Sequence, residues 1–390
     1  MNFFLLSPDL TYPLIISFFL CVLLVILAQV FPSLSGRSDD TKAVQAMHLH
    51  LTPRVGGIAI FGALVCGAFF APHVIRQSYI AFLAGTSLLF FVGLREDLGL
   101  RVSPRLRMMA ILVTSLIVMA ILDTSLQRIG NVYVNQLLQL WFIGIPFTLL
   151  ITAGVSNGFN LVDGVNGLAS MTAFGASVAI ALIAHLSGDA PMASVSMIVA
   201  AVTLGFLVVN YPFGLIFLGD AGAYVLGFVI CWIGIIVIAR VPEVSPWAVL
   251  MTMFWPIADT LLAMYRRWRA RRSVMMADRL HAHQLVMRAI ETCFIGHGRR
   301  QIANPLTTLF LAPFIVAPQI AAVLLWDNNL AAFFAVFVFL ALFFWSFGFA
   351  LAAVKRYRLR PQASQSFGAG TAADVDHDQR PRVKTSVGTH

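Results

Sequence analysis

Long apolar runs follow one another along the whole chain, and short polar segments separate them. Each run is close to the roughly 20 residues that an α-helix needs to cross a bilayer. We predict eleven such spans, at residues 13–34, 55–72, 78–94, 107–122, 136–155, 168–186, 192–210, 221–239, 246–264, 306–326 and 330–353. The pattern therefore predicts an all-α fold, a polytopic membrane protein with about eleven transmembrane helices.

The composition supports a membrane protein. The 390 residues are 59% hydrophobic and only 11% charged, whereas soluble domains carry about 25% charged residues. We predict that residues 1–355 form a single polytopic domain. Residues 356–390 are rich in Gln, Ser, Gly, Thr and charge, with little apolar surface to bury, and are predicted to be a disordered tail.

The distribution of basic residues predicts the orientation of the chain. The formal net charge is +9, which by itself could indicate a nucleic-acid partner. However, every Lys and Arg except Arg76, Arg128 and Arg240 falls after an odd-numbered span or in the C-terminal tail. Basic residues accumulate on the cytoplasmic side of membrane proteins. We therefore predict an N-terminus outside, a cytoplasmic C-terminus and no nucleic-acid partner.

The stretch 157–169, between two apolar segments, is unusually polar. It contains Asn157, Asn160, Asp163 and Asn166 together with three glycines. Carboxamide and carboxylate oxygens can hold a metal ion, and glycines let a backbone approach a polyanion closely. This stretch is predicted to belong to a site that binds a metal and a phosphate-bearing ligand.

A second polar segment begins with the adjacent carboxylates Glu96 and Asp97 and continues with Arg101, Arg105 and Arg107. Adjacent carboxylates repel each other, which raises one pKa or attracts a cation between them. A divalent metal with arginines nearby is a common arrangement for phosphoryl transfer. The alternative interpretation is an acidic pair that caps a helix at the membrane boundary.

Asp220 lies between glycines at the start of an apolar span, where it could bind a ligand, cap the helix, or do both.

In the first polar loop, Arg54 suits a phosphate, and the alternative is a charge that anchors the helix end. Asp259 lies inside a span, and an intramembrane carboxylate is a functional candidate unless it pairs with an arginine.

The longest polar segment, residues 265–304, contains Asp278, Arg279, His281 and His283. Cationic and hydrogen-bond-donating side chains on one short turn suit a diphosphate. The arginine run that precedes them is typical of a surface that attracts anionic lipids.

Taken together, these five polar segments resemble the polyprenyl-phosphate N-acetylhexosamine-1-phosphate transferases, glycosyltransferase family 4, over residues 36 to 290. The resemblance implies transfer of a sugar-1-phosphate, N-acetylglucosamine or a related N-acetylhexosamine, from a UDP-sugar to undecaprenyl phosphate, with release of UMP. It implies an Mg²⁺ cofactor, with Mn²⁺ as an alternative. It also implies that the protein lies among the lipids of the bacterial inner membrane with its active site on the cytoplasmic side. The implied role is the first membrane step in the synthesis of a cell-surface polysaccharide such as O-antigen. A homodimer is left open.

The resemblance also implies roles for individual residues. Glu96, Asp97 and Asp163 are predicted to be catalytic, and Asp220 and Asn160 to hold the metal. The predicted substrate-binding residues are Asn157, Asp40, His48, Arg54, Arg101, Arg105, Asn166, Asp278, Arg279, His281 and His283. This chain departs from the family pattern at Glu96 and Asn166, where other members carry Asp, and at Gln284, where others carry His.

Three alternatives remain open from the sequence. One is the phospho-MurNAc-pentapeptide transferase branch, which uses a larger sugar nucleotide. Another is an inactive homologue. A third is a membrane transporter that couples ions through Asp259 and Asp123, although transporters bind near the bilayer midplane and most acidic residues here cluster at one surface.

Overall fold

The computed structural model describes residues 8–31, 34, 52–269, 281–296 and 299–366. All regular structure in this part of the chain is helical, which confirms the predicted all-α class. The α-helices are α1 Pro8–Val30, α2 Gly56–Gly67, α3 His73–Asp97, α4 Pro104–Leu122, α5 Val132–Leu138, α6 Trp141–Val162, α7 Leu168–Leu186, α8 Ala190–Asn210, α9 Gly219–Arg240, α10 Pro246–Thr252, α11 Phe254–Arg269, α12 Ala282–Ile290, α13 Arg300–Leu324 and α14 Asn329–Ser366, with a short π-helix at Glu291–Ile295.

Within the described residues, nine helices are long and apolar enough to cross a membrane. The pair α10 and α11 forms a tenth candidate, a broken span bent by 83°. The remaining predicted span corresponds to α2, whose 12 residues extend only about 18 Å, short of the roughly 30 Å hydrocarbon core. A turn ends α2 early, and Arg76 donates to the Phe69 and Ala71 carbonyls there.

The helix α9 is the centre of the molecule. It is apolar on all sides, and almost all of its length is buried. A helix that is hydrophobic all round belongs in a protein interior rather than on a surface. The helices α2, α3 and α6 pack directly against α9, so its first turn lies where their ends meet.

Small residues allow this close packing. A Cβ atom on Gly57 would lie 2.4 Å from the backbone nitrogen of Gly222 in α9. A Cβ atom on Gly93, in α3, would lie 2.6 Å from the Cα atom of Ala221. Membrane helices depend on such small residues because close van der Waals contact, not water exclusion, holds them together.

Backbone hydrogen bonds join the segment before α2 to the segment before α9. The Gly56 N–H donates to the Phe217 carbonyl at 3.0 Å, and the Gly57 N–H donates to the Leu218 carbonyl at 2.9 Å. In the other direction, the Phe217 N–H donates to the Pro53 carbonyl at 2.8 Å. The starts of α2 and α9 are therefore fixed to each other.

The opposite end of α9 has its own polar anchor. The guanidinium of Arg128 donates to the carbonyls of Ile238, Val241 and Val244 at 2.9 to 3.0 Å. Arg240, at the end of α9, forms an ion pair with Asp189, whose carboxylate also accepts from the first turn of α8. None of the predicted site residues that the structure describes lies at this end.

The last helix continues to Ser366, past the boundary at 355 where the tail was predicted to begin. That boundary is therefore not a helix end. Residues 367–390 of the predicted tail lie outside the described residues.

The glycine contacts of α9 can be tested by stability measurements. We expect Gly93→Ala to lower the stability of the folded protein by about 1–3 kcal/mol, because the added methyl group meets backbone atoms that cannot rotate away. Thermal unfolding in detergent measures the change. Gly154→Ala, in α6, is the matched control, since nothing lies within 4 Å of its added Cβ. Equal melting temperatures for both variants would contradict the packing argument.

Candidate active site

A carboxylate from α3 holds the start of α9. Asp97 is 4% exposed, and its two oxygens accept from the N–H groups of Asp220 at 2.7 Å and Ala221 at 2.9 Å. The first N–H groups of a helix have no partner within the helix, so Asp97 satisfies two that would otherwise be orphaned. Gly219 makes room for this contact: its φ is +73°, and a Cβ there would lie 2.7 Å from the Asp97 carboxylate.

The side chain of Asp220 then faces two partners from other helices. Arg107, in α4, forms an ion pair with it. Asn160, in α6, donates from its amide to Asp220 at 3.2 Å. The structure thus brings together four of the polar residues that the sequence singled out, from α3, α4, α6 and α9.

Of the three arginines in the segment after Asp97, one contacts Asp220. Arg107 contacts Asp220, whereas the predicted substrate-binding residues Arg101 and Arg105 are exposed. Glu96 lies close enough to Arg107 for its charge to act on that guanidinium. Its carboxylate accepts from the Val102 N–H at 2.6 Å, which closes the turn before α4.

Asp163 ends α6 beside the same cluster. Its enclosure raises the pKa of the Asp163 carboxyl to about 7. Arg54 and the Gly219 N–H oppose this increase, and the negative charge of Asp220 adds to it. The charges of Arg54 and Asp220 therefore both act on Asp163. A bound cation would lower this pKa again.

The other two amides of the 157–169 stretch have structural contacts. Asn157 donates to the Ala153 carbonyl of its own helix at 2.8 Å. Asn166 is 4% exposed, and its side chain donates to the Pro212 carbonyl at 3.0 Å. Its backbone N–H donates to the Asn304 side chain at 2.7 Å. Asn166 therefore anchors the loop between α6 and α7.

A second buried carboxylate organises the histidines. Asp259, in α11, is fully buried and lies 2.8 Å from Nδ1 of His281, while its other oxygen accepts from the Ala282 N–H at 2.9 Å. The His281 and His283 rings stack with centroids 5.7 Å apart. A Cβ on Gly164 would lie 2.6 Å from Nε2 of His283, so this histidine contacts the loop that follows Asp163.

Four predicted site residues, Asp40, His48, Asp278 and Arg279, lie outside the described residues. Two residues that make these contacts, Arg107 and Asp259, were not among the predicted site residues. Arg107 was visible only as one of several arginines near Asp97. Asp259 had a clear signal as an intramembrane carboxylate, but the sequence did not reveal its partner.

The donor atoms around Asp220 fit Mg²⁺. Among the described residues, no group of three or more His, Cys, Asp or Glu side chains is placed to hold a metal ion. Mg²⁺ needs no such group, because proteins usually bind it through one or two carboxylates, with water and phosphate oxygens completing the octahedron. Asp220 with the amide oxygen of Asn160 supplies a set of this kind.

Fold and site together define a polytopic membrane protein with carboxylates, amides and cations gathered at one end of its helical bundle. Comparison with known proteins specifies the class further. The sequence profile described as Glycosyl transferase family 4 matches residues 79–238. The chain belongs to this family.

Several curated relatives show the same relationship. The undecaprenyl-phosphate alpha-N-acetylglucosaminyl 1-phosphate transferase of Yersinia pestis is 30% identical over 260 residues, which cover 64% of this chain and 69% of the relative. A probable undecaprenyl-phosphate N-acetylglucosaminyl 1-phosphate transferase of Bacillus subtilis is 26% identical over 252 residues, with the same coverage. The decaprenyl-phosphate N-acetylglucosaminephosphotransferase of Mycobacterium tuberculosis is 27% identical over 289 residues, 66% of this chain and 69% of the relative.

The burial of His283 predicts that the folded protein loses stability in acid. Burial lowers the pKa of His283 from 6.5 to about 4. Below pH 6.5 the unfolded chain binds a proton at this ring that the folded protein does not, so stability is lost as pH falls toward 4. We expect a loss of about 1–2 kcal/mol from His283 between pH 7 and pH 5.

The measurement is thermal unfolding of the wild type and His283→Leu across this pH range. Because Leu does not titrate, the difference between the two proteins isolates the contribution of His283 from those of the other acidic and basic groups. The two pH profiles should diverge, with the wild type losing more stability in acid. Parallel profiles would mean that the ring is protonated as readily in the folded protein as in the unfolded chain.

Proposed function

We propose that this protein transfers N-acetylglucosamine 1-phosphate, or a related N-acetylhexosamine 1-phosphate, from a UDP-sugar to a polyprenyl phosphate. The activities for which its relatives are named support the polyprenyl-phosphate acceptor and the N-acetylglucosaminyl 1-phosphate group. The products are UMP and a polyprenyl-diphospho-sugar. Such a lipid would begin a cell-surface polysaccharide, for which O-antigen is one candidate.

The observation that carries the proposal is the meeting of Asp97, Arg107, Asn160 and Asp220 at the first turn of α9. Phosphoryl transfer needs little covalent chemistry from the protein, and its catalysis comes mainly from positioning and electrostatic stabilisation. The backbone of Asp220 is fixed by Asp97 of α3, and its carboxylate is contacted from α4 and α6. A carboxylate positioned in this way at a membrane-helix end suits such a reaction. It can meet a soluble sugar nucleotide from one side and a lipid phosphate from the other.

In the reaction, an oxygen of the lipid phosphate forms a bond to the β-phosphorus of the UDP-sugar. The bond from that phosphorus to the oxygen that bridges it to the α-phosphate breaks, and UMP leaves with this oxygen. The second pKa of a phosphate monoester is about 6, so the lipid phosphate is mostly dianionic at neutral pH. The nucleophile therefore needs no general base. We therefore assign Asp97 to positioning: it fixes the turn that carries Asp220.

The remaining side chains reduce the repulsion between two polyanions. Asp220 and Asn160 would hold Mg²⁺, which neutralises diphosphate charge when bound. Arg107 and Arg54 would contact phosphate oxygens, since guanidinium groups match phosphate geometry. The histidines beside the 163–167 loop would contact the diphosphate of the sugar nucleotide. Because basic residues accumulate on the cytoplasmic side of membrane proteins, we infer that this end faces the cytoplasm, in the bacterial inner membrane.

An enzymatic assay tests the proposal. Membranes that contain the protein are supplied with polyprenyl phosphate and a panel of UDP-sugars, including UDP-N-acetylglucosamine and UDP-MurNAc-pentapeptide, and UMP release is measured with and without Mg²⁺. We expect release with a UDP-N-acetylhexosamine that requires both lipid and Mg²⁺. Asp220→Ala should fold normally and lose turnover. Turnover of the pentapeptide substrate alone would assign the protein to the peptidoglycan branch, and no UMP release with any donor would reject the transferase.

Arg107 provides a second test with a matched control. Arg107→Gln removes the ion pair with Asp220, and we expect kcat/KM to fall about 100-fold or more, the usual cost of losing a donor that stabilises developing charge. Arg240→Gln removes the ion pair with Asp189 at the opposite end of α9. This control loses a comparable ion pair but should keep its activity. Equal activities in the two variants would remove Arg107 from the proposed site.

A further inference from the structure

The carboxylate of Asp259 lies inside a broken span and is fully buried. An ionised side chain at such a position is costly unless each acceptor has a partner. Both oxygens of Asp259 have one: the Nδ1 atom of His281 lies at 2.8 Å and the Ala282 N–H at 2.9 Å. The second contact also satisfies a first-turn N–H group of α12, whose N-cap residue is His281 itself.

This geometry determines which nitrogen of His281 carries a proton. A carboxylate that accepts through both oxygens requires a donor at Nδ1. Nδ1–H is therefore the tautomer beside Asp259, and Nε2 is the ring nitrogen left for other contacts. The ring is also held in place by its stack on His283, with centroids 5.7 Å apart and planes inclined by 13°.

We propose that Asp259 is a positioning residue that holds His281 with its proton on Nδ1 and directs Nε2 toward the diphosphate of the sugar nucleotide. The substrate side of this inference rests on the proposed function. When a phosphate oxygen meets Nε2, both ring nitrogens face acceptors, and the imidazolium ion is the form that donates to both. Asp259 acts through His281 and touches no reacting atom.

Asp259→Asn separates positioning from helix capping. The Asn oxygen can still accept from the Ala282 N–H, while its NH₂ group replaces an acceptor with a donor opposite Nδ1 of His281. The ring must then carry its proton on Nε2. We expect an unchanged melting temperature within a few degrees and a fall in kcat/KM of about 10- to 100-fold, typical of losing a residue that orients a functional histidine.

The matched control is Asp189→Asn. Asp189 is also a buried carboxylate that accepts from a helix N-terminus and from a cationic side chain, at the opposite end of the bundle. This variant should keep wild-type kcat/KM. The direct readout is ¹⁵N NMR of histidine-labelled protein in nanodiscs, with His281→Gln used to assign the His281 signals.

The wild type should show His281 protonated on Nδ1, and Asp259→Asn should move the proton to Nε2. A wild-type ring without a proton on Nδ1 would overturn the proposal, even if Asp259→Asn failed to fold. So would an unchanged tautomer in Asp259→Asn, or a changed tautomer with the same kcat/KM as Asp189→Asn. A wild type that releases no UMP rejects the proposed function alone, because the spectra still decide the role of Asp259.

Discussion

Buried helix starts need acceptors from elsewhere in the protein, and this constraint shapes the whole site. The first N–H groups of a helix lack partners within the helix, so where a helix start is buried they depend on acceptors from other protein segments. Asp97 supplies them to α9, and Asp259 supplies one to α12. Each carboxylate thereby fixes the residue beside the helix start, Asp220 in one case and His281 in the other. The proposed chemistry would depend on these two contacts, because they position Asp220 and His281.

Close backbone packing is the second requirement, and glycine satisfies it. Asp97 can reach the α9 backbone only because Gly93, one turn earlier in α3, lets the two helices nearly touch. In the same way, Gly57 allows α2 to approach Gly222. A side chain at either position would move the helix ends apart, and Asp220 would lose the amide and guanidinium partners that come from α6 and α4. Glycines outside the polar segments thus contribute to the site as much as its charged residues do.

Sequence patterns were sufficient for the fold class and for most of the residues that meet at Asp220. Hydrophobic run length indicates spans, and polar residues at span ends are costly enough to stand out. The selection among Arg101, Arg105 and Arg107 could not be predicted from the sequence. Arg101 precedes α4, and the choice between Arg105 and Arg107 depends on which face of α4 packs toward Asp220. Ser103 caps the start of this helix by accepting from the Leu106 N–H. The contacts of Asp97 with the start of α9 and of Asn166 with Asn304 could not be predicted either. In each case the partner lies more than a hundred residues away in the sequence.

The ion pair of Arg107 with Asp220 has a consequence for how the site accepts its substrates. Without ligand, the guanidinium neutralises a carboxylate that is otherwise nearly buried. If Asp220 holds Mg²⁺ as proposed, Arg107 would have to give up part of its contact with the Asp220 oxygens. The diphosphate of the proposed substrate would then offer the guanidinium new acceptors of higher charge. Arg107 can therefore exchange one anion for another without being left unpaired in a region of low dielectric constant. We expect such an exchange to favour joint binding of metal and nucleotide over either alone, because only both together give every charged group a partner.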